Sequence, residues 1–199
     1  DNAQRQAAAG DDEANIVAIV GTNASKSYNR KLLYVMKDLF ETQVNFDICE
    51  IKDLPLFNED DIDQEPASVK ALAAKIEAAD GVVFGVPEYD HSIPAALKSA
   101  IEWLSCAEHP FKDKPVMIVG TSLGIQGTVR AQMNLRQILD SPGVDAKVLP
   151  GNEFMLPQAG TKFDENDHLT DDASEHFLKQ CFSHFLTALP AKTKTSVTN

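Results

Sequence analysis

Short apolar runs alternate with amphipathic stretches along most of the chain. The apolar runs are rich in β-branched residues and bounded by glycine or proline, which predicts strands buried on both faces. The predicted strands are residues 16–20, 44–51, 82–86, 116–119 and 145–149, the second being less buried. Between them, hydrophobic residues recur at helical spacing. This pattern predicts helices over residues 28–41, 66–79, 128–139 and 171–189, and one that begins at Pro94.

Five strands that alternate with five helices predict an α/β fold with a parallel sheet and right-handed crossovers. We expect one flavodoxin-like doubly wound domain over residues 15–189, with helices on both faces and strand order 2-1-3-4-5. Residues 150–169 are expected to be irregular. A disordered lead over residues 1–14 and a polar tail over residues 190–199 are expected to flank the domain. A ligand should bind where the loops after strands 1, 3 and 4 converge.

Composition narrows the classes of partner. The chain has 199 residues and a formal net charge of −12, a field that repels nucleic acid and anionic membranes. No apolar run is long enough to span a membrane, and the first residues lack the hydrophobic region of a signal peptide. We therefore expect a cytoplasmic protein. Cys49, Cys106 and Cys181 have no metal or disulfide spacing and are expected to be small core or surface residues.

The loop after the first strand, residues 21–29, offers hydroxyls and backbone N–H groups at a helix N-terminus. Such a terminus is suited to an anion. The loop is not a P-loop, since Lys26 and Ser27 stand where a glycine and a lysine are needed, and no GxGxxG follows the strand. Ser27 alternatively serves only as the helix cap.

Three motifs together resemble the NAD(P)H-dependent FMN reductase family, which includes azo-, quinone- and chromate-reducing flavoenzymes. They are G-T-x-x-x-x-S-x-N at 21–29, P-E-Y-D-x-S-x-P-A-x-L-K-S-A-I-E-W at 87–103 and S-x-G-x-x-G-x-x-R-A-Q-x-x-L-R at 122–136. The resemblance covers about residues 15–188. It implies an oxidoreductase that passes hydride from NADH or NADPH through N5 of FMN to a small-molecule acceptor. A quinone, an azo compound, a free flavin or a metal oxyanion are the candidate acceptors.

The resemblance also implies site residues. The phosphate would be held by Thr22, Ser27, Tyr28 and Asn29, and the isoalloxazine ring lined by Pro87, Glu88, Tyr89 and Asp90, chiefly through backbone groups. Ser122, Leu123, Gly124 and Gly127 would close over the other edge of the ring. Tyr89 and His91 would touch the nucleotide or the acceptor. No acid or base residue is required, because the flavin carries the chemistry.

Three positions depart from the family pattern. Ala24 stands where an arginine is common, so Lys26 is the candidate charge partner for the phosphate. Asp90 replaces an asparagine and cannot donate as an amide does. Thr128 replaces the last glycine of S-x-G-x-x-G-G. These departures bear on affinity and acceptor preference rather than on the cofactor.

Two other classes of function remain open at this point. Gly120-Thr121-Ser122-Leu123-Gly124 matches the G-x-S-x-G elbow of serine hydrolases, with Asp164 or Asp167 and then His168, His176 or His184 downstream. Helix signals start only near Thr128, which disfavours an elbow. A flavodoxin-like electron carrier is the second alternative, and an acidic surface suits docking to a redox partner.

Other features predict less. The acidic cluster Glu59, Asp60, Asp61 and Asp63 has no metal-ligand pattern and indicates a solvated loop. Trp103 is either core or a subunit contact. The family resemblance implies a homodimer or homotetramer, with the helix after Pro94 as a candidate interface. The choice between NADH and NADPH stays open.

Overall fold

The computed structural model describes residues 13–191, which form one parallel α/β unit. The strands are β1 (Ala14–Val20), β2 (Val44–Cys49), β3 (Gly81–Gly85), β4 (Pro115–Thr121) and β5 (Lys147–Leu156). The helices are α1 (Tyr28–Phe40), α2 (Ala67–Ala78), α3 (Ala95–Ala107), α4 (Val129–Leu139) and α5 (Asp172–Thr187). Short 3-10 turns lie at Glu59–Gln64 and Ala159–Thr161. The predicted lead and tail lie mostly outside the described residues.

The strand order is β2-β1-β3-β4-β5 and every pair is parallel, which confirms the predicted flavodoxin-like topology. Ile16 of β1 pairs with Phe46 of β2 on one side and with Gly81 of β3 on the other. The chain therefore reverses its winding direction between β1 and β3. In this topology the ligand-binding crevice lies at the carboxyl ends of these two strands.

Two hydrophobic clusters cover the two faces of the sheet, because alternate residues of a strand point to opposite faces. Val17, Val82 and Val116 face the side covered by α2, α3 and α4. Ala18, Val83 and Met117 face the side covered by α1 and α5. The central strands are buried on both sides, which explains why they read as continuous apolar runs.

The fifth strand is longer than the sequence pattern indicates. The sequence pattern predicts a strand over 145–149 followed by an irregular segment, since proline and glycine at 150–151 are typical of a turn. The strand instead continues to Leu156 through an irregularity in its pairing with β4, and Gly151 adopts φ +66° there. The guanidinium of Arg136 donates to the carbonyls of Leu149 and Asn152, each at 3.3 Å, and bridges the bulge from α4.

Trp103 belongs to the core and is not a subunit contact. Its side chain is buried, its Nε1 donates to the carbonyl of Pro55 at 2.8 Å, and Phe57 packs edge-on against its ring. Phe177 of α5 is half exposed and stacks on Phe154.

The three cysteines are free, two of them buried and Cys106 exposed, as the sequence predicts. Burial, reinforced by Asp47, raises the pKa of the Cys49 thiol to about 11. At neutral pH this thiol is therefore protonated and unreactive. In the part of the chain that the structure describes, no helix has the length and apolar character to cross a membrane.

Candidate functional site

The loop between β1 and α1 forms an open cradle of backbone N–H groups. It starts at Gly21, whose N–H donates to the carbonyl of Gly85 at 2.8 Å. A Cβ on Gly21 would lie 2.6 Å from that carbonyl oxygen, so the close approach of β1 to β3 requires glycine. Within the described residues, the N–H groups from Ser25 to Asn29 have no protein acceptor. Free N–H groups at a helix N-terminus bind anions.

Side chains complete the cradle. Ser27 does cap α1, since its Oγ accepts from the N–H of Arg30 at 3.3 Å, but this bond leaves the preceding N–H groups free. The two readings of Ser27 are therefore compatible. Lys26 is exposed and makes no ion pair within residues 13–191, so its ammonium group is available to an anion. Thr22 is buried, and its Oγ1 accepts from the N–H of Ala24 at 3.2 Å.

Tyr28 and Asn29 play different parts at the start of α1. The ring of Tyr28 packs against Phe163, with 5.7 Å between ring centroids. Asn29 is buried; its side-chain amide donates to the carbonyl of Thr121 at 3.0 Å and accepts from the N–H of Thr121 at 2.9 Å. The Asn29 amide therefore fixes the end of β4. Its backbone N–H has no protein acceptor among the described residues and remains available to the phosphate that the motif predicts.

The loop after β3 contains a tight hairpin turn. Tyr89 and Ser92 exchange backbone hydrogen bonds of 3.0 and 3.1 Å, and the two residues between them have positive φ, 52° at Asp90 and 63° at His91. This is the geometry that favours asparagine, aspartate or glycine. Asp90 therefore suits the turn as well as an asparagine does, and its carboxylate adds a negative charge to the turn. His91 is exposed at the tip of the turn.

Polar bonds tie this turn to its neighbours. Oε1 of Glu88 accepts from the N–H groups of Arg130 at 2.8 Å and Ala131 at 3.0 Å, in the first turn of α4. Ser92 Oγ donates to Oδ1 of Asn134, further along the same helix, at 2.6 Å. The Tyr89 hydroxyl lies 3.0 Å from Thr22 Oγ1 in the cradle. Pro87 is buried below the turn. The turn therefore bridges the cradle and α4.

The loop after β4 forms the third wall of the crevice. Ser122 accepts from the N–H of Ala159 at 2.9 Å, and Gly124 accepts from the N–H of Gln158 at 2.8 Å. Gly127 has φ +61° and packs against Met155, where a Cβ would approach to 2.8 Å. Thr128 has φ −122°, so no glycine is needed at this departure from the family pattern. Leu123 and Ile125 are 70% and 79% exposed at the tip.

The serine hydrolase alternative does not fit this geometry. Ser122 follows β4, but α4 begins only at Val129, so there is no sharp strand-to-helix turn at the serine. The Oγ of Ser122 contacts the carbonyl of Gly124 at 3.5 Å. Asp164 instead organises its own loop: the N–H of His168, assisted by that of Asn166, holds the pKa of its carboxyl below the usual value. His176 and His184 lie on α5.

Residues 13–191 contain no cluster of three or more histidine, cysteine or acidic residues arranged to hold a metal ion. The acidic residues around Glu59 form a 3-10 turn capped by Asn58. The crevice therefore places the anion cradle beside the hairpin turn, at the switch point of the sheet. This combination defines a flavodoxin-like protein with a candidate site for a phosphorylated ligand.

Comparisons with known proteins identify the class more closely. Residues 14–161 match the family model described as NADPH-dependent FMN reductase, and the chain belongs to this family. It is 47% identical over 172 residues to the NADH:(hydroxy)cinnamate reductase subunit CrdA of Vibrio ruber, covering 86% of this chain and 85% of that protein. It is 45% identical over 176 residues to the NADH-dependent flavin reductase subunit 2 of Lactobacillus johnsonii, covering 86% and 95%.

A solved structure supports the same family assignment. The flavoenzyme NAD(P)H:(acceptor) oxidoreductase of Paracoccus denitrificans superposes with a TM-score of 0.79 at 30% identity, covering 87% of this chain and 96% of that one. The chain is thus an oxidoreductase that uses FMN and a nicotinamide nucleotide, as the motifs predict. The free N–H groups of the cradle fit the phosphate of FMN, and the neighbouring hairpin turn is the candidate wall for its ring.

Sequence reasoning missed several residues that shape the crevice. Arg30 and Glu50 hold the cradle from behind, and Asn134 anchors the hairpin turn from α4. The contact of Arg30 with Glu50 spans 20 positions of sequence and that of Ser92 with Asn134 spans 42. No local motif marks them, because side chains on helices and strand ends meet only after folding.

Proposed function

We propose that this chain is an NADH-dependent FMN oxidoreductase whose acceptors are uncharged planar molecules, such as quinones and the neutral free flavin riboflavin. One observation carries the proposal: the anion cradle and the hairpin turn meet at adjacent strand ends and are joined by the contact between Thr22 and Tyr89. In this arrangement the cradle fixes the phosphate, while the turn sets the plane and position of the ring. When bound, FMN supplies the hydride chemistry.

The proposed FMN site keeps the residues expected from the motifs. Around the phosphate it has Thr22, Ser27, Tyr28 and the backbone of Asn29; along the ring, Pro87, Glu88, Tyr89 and Asp90; at its far edge, Ser122, Leu123, Gly124 and Gly127. Tyr89 and His91 are proposed to touch the nucleotide or the acceptor. Both are exposed beside the crevice, which supports this part.

The preference for NADH and for uncharged acceptors follows from charge. The net charge is −12, and Asp90 adds a carboxylate at the hairpin turn. Such a field opposes the extra phosphate of NADPH and a metal oxyanion such as chromate. The exposed apolar side chains of Leu123 and Ile125 suit a flat aromatic acceptor. Both relatives described above carry NADH in their names.

The first test is the visible spectrum of the purified protein, before and after anaerobic addition of NADH. We expect flavin bands that bleach within the turnover time and FMN released on heating. Bands that persist with NADH and NADPH would favour the electron carrier. A colourless protein that cannot be reconstituted with FMN would contradict the whole proposal.

The acceptor preference is tested separately. With NADH as donor, kcat/KM for menadione is expected to exceed that for chromate by about tenfold or more at low salt. Raising the ionic strength from about 0.02 M to 0.2 M should increase the chromate rate and leave the menadione rate nearly unchanged, since salt screens charge repulsion. A faster reaction with chromate, or one that salt slows, would refute the charge argument.

A second candidate function is that of a reductase subunit that delivers electrons to a partner flavoprotein. The observation that favours it is that both relatives described above are named as subunits. The exposed pair Leu123 and Ile125 beside the crevice offers an apolar contact for such a partner. This arrangement would replace the free acceptor by a bound one and leave the FMN site unchanged.

Assembly and location complete the proposal. A homodimer or homotetramer is proposed from the family resemblance, without Trp103 in the interface, because that side chain is buried within the chain. A cytoplasmic location is proposed because three free cysteines suit a reducing compartment.

A further inference from the structure

Arg30 lies behind the cradle, and its guanidinium donates to main-chain carbonyls of the cradle loop. One terminal nitrogen, Nη1, donates to the carbonyl of Ala24 at 2.7 Å and to that of Ser25 at 2.9 Å. The same two peptide units contain the free N–H groups of Ser25 and Lys26. The guanidinium is thus attached to the loop through the backbone alone.

Because of peptide geometry, this contact also fixes the direction of the N–H groups of the loop. In a trans peptide the carbonyl and the following N–H point in opposite directions. Because the carbonyls of Ala24 and Ser25 point at Arg30, the N–H groups of Ser25 and Lys26 point away from it. Consecutive N–H groups that face one side of a loop form a concave site for an anion.

Glu50, directly after β2, fixes the guanidinium. Its carboxylate accepts from Nε of Arg30 at 2.8 and 3.1 Å and from Nη2 at 2.5 Å, a two-pronged pair. The side chains are only 17% and 33% exposed. The pair is therefore better shielded from water than a typical surface ion pair. It also neutralises the charge of Arg30, so the guanidinium offers little direct attraction to a phosphate.

We propose that Arg30 and Glu50 are positioning residues for the phosphate of FMN: they hold the cradle peptides with their N–H groups outward and do not contact the ligand themselves. The inference rests on the proposed FMN site. The loop has an uncharged residue, Ala24, at its centre. The inference therefore attributes its affinity for phosphate to the orientation of its backbone N–H groups, which Arg30 sets from the side away from the ligand.

The test compares FMN with riboflavin, which has the same ring and lacks the phosphate. For Arg30→Met, the dissociation constant of FMN should rise about tenfold, the scale of losing charge-assisted hydrogen bonds, and that of riboflavin should stay within about twofold. Binding is followed by quenching of flavin fluorescence. Inorganic phosphate, used as a competitor of FMN, probes the cradle alone, and its inhibition constant should rise in parallel. Arg30→Lys should recover only part of the affinity, because an ammonium lacks the planar fork.

Glu50→Gln distinguishes an orienting role of the pair from a direct charge effect, because the two explanations predict opposite changes in FMN affinity. The substitution removes a negative charge near the cradle but also releases the guanidinium from its two-pronged partner. If the pair acts by orientation, FMN binds more weakly, by about threefold. If Arg30 instead acts as a charge that Glu50 partly cancels, FMN binds more tightly, and the inference is overturned.

Lys75→Met is the matched control for Arg30→Met, since each substitution removes one positive charge and breaks one ion pair. The pair lost in the control joins Lys75 to Asp47, and these side chains are 54% and 53% exposed. Lys75→Met should change the dissociation constant of neither FMN nor riboflavin. Wild-type protein that binds no FMN would refute the proposed function itself. Wild-type binding with an unchanged FMN constant in Arg30→Met, or with equal losses for FMN and riboflavin, would refute the positioning role. Circular dichroism and thermal unfolding confirm that each variant is folded.

Discussion

Replacing Gly120 with alanine is expected to lower the free energy of unfolding by about 3 kcal/mol, at the upper end for overpacking a core position. An added Cβ would lie 1.7 Å from Thr128 Oγ1, 2.9 Å from Gln132 Nε2 and 2.9 Å from the carbonyl oxygen of Val86. Thr128 and Gln132 are fully buried and bonded to each other, so neither can move aside cheaply. Thermal unfolding of the flavin-free protein measures the effect, expected as a fall in Tm of roughly 6–12 °C.

A second substitution shows whether the overlap is the cause. Thr128→Ala removes the nearest clashing atom, so the double variant with Gly120→Ala should be more stable than Gly120→Ala alone, with a coupling of about 1–2 kcal/mol. Gly143→Ala serves as the control, because nothing lies within 4 Å of its added Cβ. A Gly120→Ala protein as stable as the Gly143→Ala protein would mean that β4 and α4 pack less closely than the structure indicates.

The sheet order follows from sequence because the signals that set it are local. The apolar runs at 16–20, 82–86 and 116–119 can only be strands covered on both faces, and the helical stripes between them supply the covers. The right-handed crossover then leaves few possible orders. The place of the crevice follows in turn, because it is a property of that order.

Other features depend on contacts between distant residues and leave no local pattern. Pro150-Gly151 reads as a turn, yet β5 continues past it, because Arg136 on α4 binds the carbonyls on either side of the bulge. Asn29 lies in the phosphate motif, yet its side chain binds a peptide at the end of β4. In both cases a polar group satisfies backbone atoms that the sheet leaves unpaired, and the sequence does not say which group will do so.

The crevice is consequently a set of loops linked by side chains rather than a set of separate motifs. Thr22 and Tyr89 link the first loop to the second, and Asn29 links the start of α1 to the end of β4. Arg30 holds the first loop from behind. A ligand that spans all three loops is positioned only if these links keep their lengths. A further link, from Glu88 on the loop after β3 to the N-terminus of α4, is expected to matter most for FMN binding.

Replacing Glu88 with alanine is expected to weaken FMN binding about thirtyfold, equivalent to roughly 2 kcal/mol. The substitution leaves the N–H groups of Arg130 and Ala131 without their acceptor and frees the hairpin turn from α4. The loss of this cap should also lower the free energy of unfolding by about 1–2 kcal/mol. Fluorescence titration with FMN and thermal unfolding without flavin measure the two effects. Glu88→Gln keeps an oxygen acceptor and should stay within about threefold of wild type, whereas the shorter Glu88→Asp should resemble alanine.

Asp171→Ala provides a matched control, because Asp171 caps α5 through its carboxylate, accepting from the N–H of Ser174 at 3.2 Å. It should lower stability by a similar amount and leave FMN affinity unchanged. Equal losses of FMN affinity in Glu88→Gln and Glu88→Ala would assign the effect to the negative charge, since the glutamine retains the geometry. A Glu88→Ala protein that binds FMN as wild type does would show that the hairpin turn holds its position without α4. The Thr22–Tyr89 contact, on the opposite side of the turn, would then be the link that fixes the ring.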